Sequence, residues 1–385
     1  MATDATGRTA PTRRGTIVSG GAVVVGLLAG CTDESNGGEE SDDENSPTSS
    51  EDDSYTVSME PMGETEFEEI PERWATYKEA QADMGIALGI GEGLVGIDSP
   101  EDGLDPLIET FYSEIPGVSL DTGEMTNIRA DGENIDKEVF YEMDADVHLI
   151  DPNEAMFRFE WDDNDLEEIE EIAPFFGHSN RRYTYDWQDD YTVHSLYETF
   201  EKTAEVFGRE ERYEAFEALH NEVIDELDSV VGDEPTEVGL LNGGSEADSG
   251  LFYLLDPLDP GYEMKQYRDL SVENAFESVD AEDGEADYEV LLDVDPEIII
   301  YHWGVLDTDE EFEAERIAPM ESHPVGSELT AVQEGRVYPG GTAEQGPILN
   351  LFQTEFAAQQ LYPDTYGGEE LFSRQEVADI INGDR

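Results

Sequence analysis

The sequence predicts an α/β protein of two lobes, each built on a parallel sheet, joined by a long helical connector, with a ligand cleft where the lobes face each other. Three observations lead there. Roughly 330 residues follow the N-terminal region, more than one hydrophobic core usually supports. Strand-like and helix-like stretches alternate in both halves of that length, which is the βαβ pattern of a parallel sheet. Between the halves runs a stretch of sustained helical periodicity. At 38% hydrophobic residues the chain is globular despite its charge.

The N-terminus precedes this body and has its own logic. Residues 12–31 read "TRRGTIVSGGAVVVGLLAGC". The uncharged run from Ile17 to Ala29 is shorter than the ~20 residues that span a bilayer as a helix. It has the form of a signal-peptide h-region, with Arg13 and Arg14 as its positive flank. The arginine pair resembles the twin-arginine export signal, although Gly15-Thr16 replaces the usual bulky residues. Leu28-Ala29-Gly30-Cys31 resembles a lipobox, so 1–31 is expected to be a signal peptide. Cys31 would become the lipidated first residue of the mature protein, held at the outer face of the cytoplasmic membrane. As the sole cysteine, Cys31 leaves no intramolecular disulfide. From Thr32 to Asp53 there is no Lys, no Arg and no large apolar residue, so 32–54 is expected to be a disordered acidic tether.

Charge excludes one class of partner. Asp and Glu total 96 against 19 Lys and Arg, a formal net charge of -77, which argues against nucleic acid. Only Lys78, Lys137, Lys202 and Lys265 are lysines. Acidity spread along the whole chain is the expected adaptation to molar salt, where the Debye length is ~3 Å and self-repulsion is screened. A halophilic archaeon is the natural source.

The N-terminal lobe is expected at 55–190. Its first strand is placed in "FEEIPERW" (67–74), followed by a helix through Ala80, Met84 and Leu88, a Gly-rich turn and the strand Leu94 to Ile97. The connector, 191–230, carries apolar residues at Leu196, Phe200, Phe207, Tyr213, Phe216, Leu219, Val223 and Leu227, with one break near Gly208. A surface hairpin of the first lobe is the alternative for this stretch. The C-terminal lobe, 231–385, offers strands in "TEVGLLN", "EVLLDVDPEIIIYHW" and "GRVYPGG".

Two segments echo each other across the lobes. "IDKEVFYEMDADVHLIDP" and "ADYEVLLDVDPEIIIYHW" each give an acidic residue, a short amphipathic helix, Asp in a tight turn and a hydrophobic strand. With "LGIGEGLVGID", "SLYETFEKTAEVFGREERYEAF" and "LTAVQEGRVYPGG", they resemble the substrate-binding proteins of iron-siderophore and cobalamin ABC importers over about residues 65–365. Ala145 stands where that family usually has Pro. The resemblance implies two Rossmann-like lobes joined by one long backbone helix, no cofactor, and an iron(III)-siderophore ligand, of hydroxamate type. Cobalamin or haem on the same scaffold is the alternative, as is a lipid-anchored sensor or enzyme of the same fold. Related enzymes hold clusters with cysteines, and Cys31 is the sole one here. The implied partners are an ABC permease and its ATPase, met by a monomer. Aligning the echoed segments puts the family's permease-docking carboxylates at Glu138 and Glu289.

No G-x-S-x-G, P-loop, Rossmann dinucleotide fingerprint or H-E-x-x-H is present, and six scattered histidines form no metal-ligand spacing, so neither catalytic residues nor a metal site are expected. His148, inside "DVHLI", reads as core. In α/β lobes ligands collect at the carboxyl ends of parallel strands. That rule selects Trp74, Tyr77 and the Arg181-Arg182 pair in the first lobe, and Tyr253, Trp303 and Gln345 in the second. The arginines have two readings. They form a local salt bridge in an acidic protein, or their guanidinium groups receive carboxylate or hydroxamate oxygens of the ligand.

Overall fold

A computed structural model describes residues 54–129, 135, 137–183, 185–188, 191–228, 235–281 and 284–384. The export signal, Cys31, tether residues 32–53 and residues 229–230 of the connector lie outside the described residues. An antiparallel hairpin of β1 (Tyr55–Met59) and β2 (Gly63–Phe67) comes first. Four parallel strands follow: β3 (Trp74–Thr76), β4 (Leu94–Ile97), β5 (Thr126–Asn127) and β6 (Val147–Leu149), in spatial order β5-β4-β3-β6. Phe175 extends this sheet through a parallel bridge to His148.

The second half contains β7 (Glu237–Asn242), β8 (Phe252–Tyr253), β9 (Glu273–Asn274), β10 (Glu285–Ala286), β11 (Ile299–His302) and β12 (Val337–Pro339). Here β8 and β10 form a separate antiparallel pair, and the others make a parallel sheet ordered β12-β11-β7-β9. In each sheet the chain first moves to one side of its starting strand and then returns to the other. The reversal lies between β3 and β6 in one sheet and between β7 and β11 in the other. Every residue of β3, β6 and β11 is buried, as expected for central parallel strands covered on both faces.

The expected first strand in 67–74 is corrected. β2 ends at Phe67, and Trp74 opens β3. Residues 68–73 include Glu68, Glu69, Pro71 and Glu72, which a buried central strand cannot accommodate. They form a loop pinned to the turn before β6, with Glu72 N and Arg73 N donating to Asp146 Oδ2 at 2.9 and 2.8 Å. The echoed segments superimpose in role. Helices Lys137–Met143 and Tyr288–Val294 each end at an Asp in the left-handed region, Asp144 at φ 50° and Asp295 at φ 49°, before turning into β6 and β11. Asp tolerates that conformation, so Ala145 replaces the usual Pro without loss of the turn.

The single backbone helix implied by the resemblance is two helices, Leu196–Phe207 and Glu210–Asp228. Ser195 and Glu198 form a capping box at the start of the first. Gly208, at φ 58°, ends it as a left-handed C-cap. Both helices enter one hydrophobic core that also holds helix Glu79–Ala87 from the first half and helix Pro347–Leu361 from the second. Asp83 joins these two directly. Its fully buried carboxylate accepts from Ile348 N at 2.9 Å and Leu349 N at 3.1 Å, capping the second-half helix, and also accepts from the Tyr112 hydroxyl. Arg212 ties the connector to helix Glu79–Ala87 by donating to the Leu88 carbonyl, and a Cβ at Gly89 would collide with its guanidinium. Among the described residues, no helix is long and apolar enough to cross a membrane.

Candidate functional site

Strand ends carry the site's chemistry. Tyr77 and Lys78 follow β3, Asp98 follows β4, and Arg181 and Arg182 lie beyond Phe175. From the other sheet come Trp303, directly after β11, and Glu344, in the segment after β12. Residues from both halves enclose a cleft cavity of ≈ 320 Å³, whose walls include Tyr77, Lys78, Arg181, Thr342 and Glu344. The polar groups cross the cleft. Lys78 Nζ lies 3.2 Å from a carboxylate oxygen of Glu154 on its own side and 3.2 Å from Glu344 opposite. Arg181 reaches Glu344 at 3.2 Å and Glu263 at 2.9 Å.

Glu263 is the hub of a second cluster. Its carboxylate accepts from Arg181, from Arg182 Nη2 at 2.7 Å, and from Trp303 Nε1 at 2.8 Å, with His302 Nε2 at 3.2 Å. Burial alone would raise the Glu263 carboxyl, but the His302 hydrogen bond and the Arg181 charge outweigh it and hold it well below the usual carboxylate range. Burial likewise opposes the charge on Lys78, and the Glu344 and Glu154 carboxylates reverse that, keeping its ammonium above its ordinary value. Trp303 has φ 77°, an uncommon conformation for a large side chain, and its ring lies under both guanidinium groups, 5.6 Å from Arg181 and 5.5 Å from Arg182. The Tyr262 hydroxyl donates to Glu344. On the rim, Arg129 grips Asp98 at 3.0 Å and donates to the Tyr77 hydroxyl at 2.8 Å.

The structure brings together Tyr77, Arg181, Arg182 and Trp303, and leaves out three other expected ligand residues. Trp74 is fully buried at the start of β3, its Nε1 donating to Ile90 O at 3.0 Å and its ring packed on Phe207. It opens the strand instead of following it, so it faces the core. Gln345 is fully buried as well, and its amide is consumed by the Tyr262 and Glu263 carbonyls at 2.5 and 3.1 Å, which orients Glu263 from behind. Tyr253 lies in the β8–β10 pair and is not in the cavity wall. Glu138 and Glu289 are exposed at equivalent second positions of the two echoed helices.

Sequence reasoning missed Lys78, Glu154, Glu263 and Glu344. The acids were indistinguishable among 96. Lys78 had a usable signal, since it is one of four lysines and adjoins Tyr77. Scarcity also marks Arg129 and Arg158, so five of the chain's 19 Lys and Arg residues (Lys78, Arg129, Arg158, Arg181, Arg182) gather in and around this cleft.

Residues 155–342 match the sequence model of a family described as periplasmic binding protein. No curated protein matches the sequence. Among solved structures, a periplasmic binding protein from Veillonella parvula is similar over 80% of this chain and 98% of its own, at 16% identity and a TM-score of 0.57. The CeuE protein of Helicobacter pylori, in a nickel-histidine complex, is similar over 85% of this chain and 95% of its own, at 12% identity and a TM-score of 0.56. The iron uptake ABC transporter substrate-binding protein PiuA of Streptococcus pneumoniae covers 80% of this chain and 98% of its own, at 17% identity and a TM-score of 0.53. At such identities the likeness shows the fold. With two parallel sheets facing across a cleft and a family match over residues 155–342, the chain has the fold of the periplasmic binding proteins.

Proposed function

We propose that this protein is the extracytoplasmic substrate-binding component of an ABC importer, and that it captures an iron(III)-siderophore of hydroxamate type. The observation that carries this reading is the cleft itself. A chain poor in basic residues sets Lys78 and Arg181 beside Tyr77 in the cavity wall, with Arg129, Arg158, Arg182 and Trp303 behind it. Such a wall offers the Tyr77 phenol to chelating oxygens and an aromatic face to the ligand's carbon skeleton, while the ion-paired guanidinium groups hold the two sides in register. The pneumococcal protein, named for iron uptake, supports the ligand class. Trp303 makes the test direct, because a ferric chelate in the cleft quenches its fluorescence. Titration in molar salt with ferric hydroxamates, ferric catecholates, haem and cobalamin should give saturable quenching with the hydroxamates at the lowest concentration. Tighter binding of haem or cobalamin would replace the ligand assignment, and no binding of any of them would refute the reading.

Delivery requires a membrane and a permease. In this reading Cys31 carries the lipid that holds the protein at the outer face of the membrane, after export by the twin-arginine route. Cys31→Ser should release folded protein into the medium, and a wild-type protein found soluble with an intact N-terminus would refute the anchor. Glu138 and Glu289 dock on permease cations, each placed in the first turn of its helix where the dipole favours a carboxylate. Reversing both to Arg should abolish uptake while chelate affinity in solution stays intact. Full transport by that variant would sink the docking assignment.

A further inference from the structure

The charges in the cleft are unevenly satisfied. Every cation in and around it is already committed: Lys78 to Glu154 and Glu344, Arg158 to Glu154, Arg181 to Glu263 and Glu344, Arg182 to Glu263, and Arg129 to Asp98. Two carboxylates in the same cavity wall are not. Glu79 and Asp102 line it, and neither makes an ion pair among the described residues. Glu79 opens helix Glu79–Ala87 beside Lys78, and its carboxyl rests against Gly103, where a Cβ would strike it. The charged groups around it are Glu344, Lys78 and Asp98, with Asp102 and Arg181 elsewhere on the wall. Burial, and after it the Glu344 charge, pushes the Glu79 carboxyl up to about 7.

We infer that the cleft selects a metal chelate without net negative charge that carries a protonated amine, and that Glu79 is the carboxylate that receives that amine. This rests on the reading that the protein captures an iron(III) chelate, and it narrows the class. Three monoanionic hydroxamates cancel the charge of iron(III), so an added ammonium arm makes the chelate a cation. Three dianionic catecholates leave a strongly negative chelate, which would meet Glu79 and Asp102 with no uncommitted cation to offset them. The ammonium form needs Glu79 ionised. Capture below neutrality therefore expels the Glu79 proton to solvent, and affinity rises with pH through the Glu79 titration, while a primary amine keeps its own proton throughout.

The test compares three probes in molar salt: a ferric trihydroxamate with a free primary amine, the same chelate N-acetylated, and a ferric tricatecholate. The amine form should bind wild-type protein at least about tenfold tighter than the acetylated form near pH 8, the size of one charge-assisted hydrogen bond. That advantage should shrink near pH 6. Glu79→Gln should remove that advantage, bringing the affinities for the amine and acetylated forms together at both pH values. If that variant fails to fold, the ratio of the two hydroxamates on wild-type protein at the two pH values decides. Equal affinities for the amine and acetylated forms, or tightest binding of the tricatecholate, overturn the inference and leave iron-chelate capture standing. Binding of none of the three overturns both.

Discussion

Glu263→Gln should destabilise the empty protein and change what the cleft attracts. The wild-type carboxylate is fully buried and is engaged by two guanidinium groups, an indole and an imidazole. Glutamine keeps the shape and one acceptor but removes the charge. Arg181 retains Glu344 at 3.2 Å, whereas Arg182 loses its sole ion-pair partner among the described residues. Breaking a buried pair by removing one partner costs ~3–5 kcal/mol. With about 0.7 kcal/mol/K of unfolding entropy for ~330 residues, that corresponds to a melting temperature lower by about 4–7 °C. The sign with pH follows from the depressed Glu263 carboxyl. Its contribution is complete above the unfolded-state value and is lost only as pH falls through the lower native value. The difference between wild type and variant should thus be constant from neutrality to about pH 5 and shrink in stronger acid. Thermal melts across pH measure it, and added carboxylate such as acetate should restore part of the loss by occupying the freed guanidinium groups. A variant melting within 1 °C of wild type at neutral pH would refute the claim that Glu263 holds the two arginines.

Other expectations follow from buried groups. Burial raises the Asp83 carboxyl to about 7, so ionising it opposes stability increasingly as pH climbs from about 4 to 7; Asp83→Asn should flatten that slope in pH-dependent denaturation. An unchanged slope would place the titration elsewhere. Gly85→Ala should destabilise by about 1–3 kcal/mol despite its better helix propensity, because the added methyl would collide with the Trp74 ring; a stabilised variant in chemical denaturation would contradict that packing. Dilution from molar to low salt should loosen the body as its carboxylates lose screening, and a melting temperature independent of salt would count against halophilic adaptation.

Those parts of the fold that repeat were legible in the sequence. The helix–turn–strand segments before β6 and β11 show themselves twice, and "EIIIY" has the unbroken apolar run of a doubly covered strand. The first central strand was not, because β3 is three residues long and its burial is invisible beside an acidic loop. Trp74 shows the general difficulty: an aromatic that opens a strand and one that follows it look alike until the strand's limits are known. The arginine pair was found by scarcity, but the partner deciding its role, Glu263, lies 81 residues beyond Arg182 and is one acid among 96. Its register across the cleft is a property of tertiary structure. Gln345 is fully buried and turns its amide toward backbone carbonyls, a choice that packing makes and composition does not.

Arg212 spends its guanidinium on the Leu88 carbonyl at the end of a helix, and no ion pair to a carboxylate is seen for it among the described residues. A peptide carbonyl has no proton to gain. As pH falls, carboxylates elsewhere on this chain are neutralised one after another and their ion pairs dissolve, but the grip of Arg212 on the first-half helix has no partner to lose. Helix Glu79–Ala87 and the connector should accordingly part late in acid unfolding, after side-chain contacts across the cleft have gone. The molecule would then open at its mouth while remaining fastened along its spine.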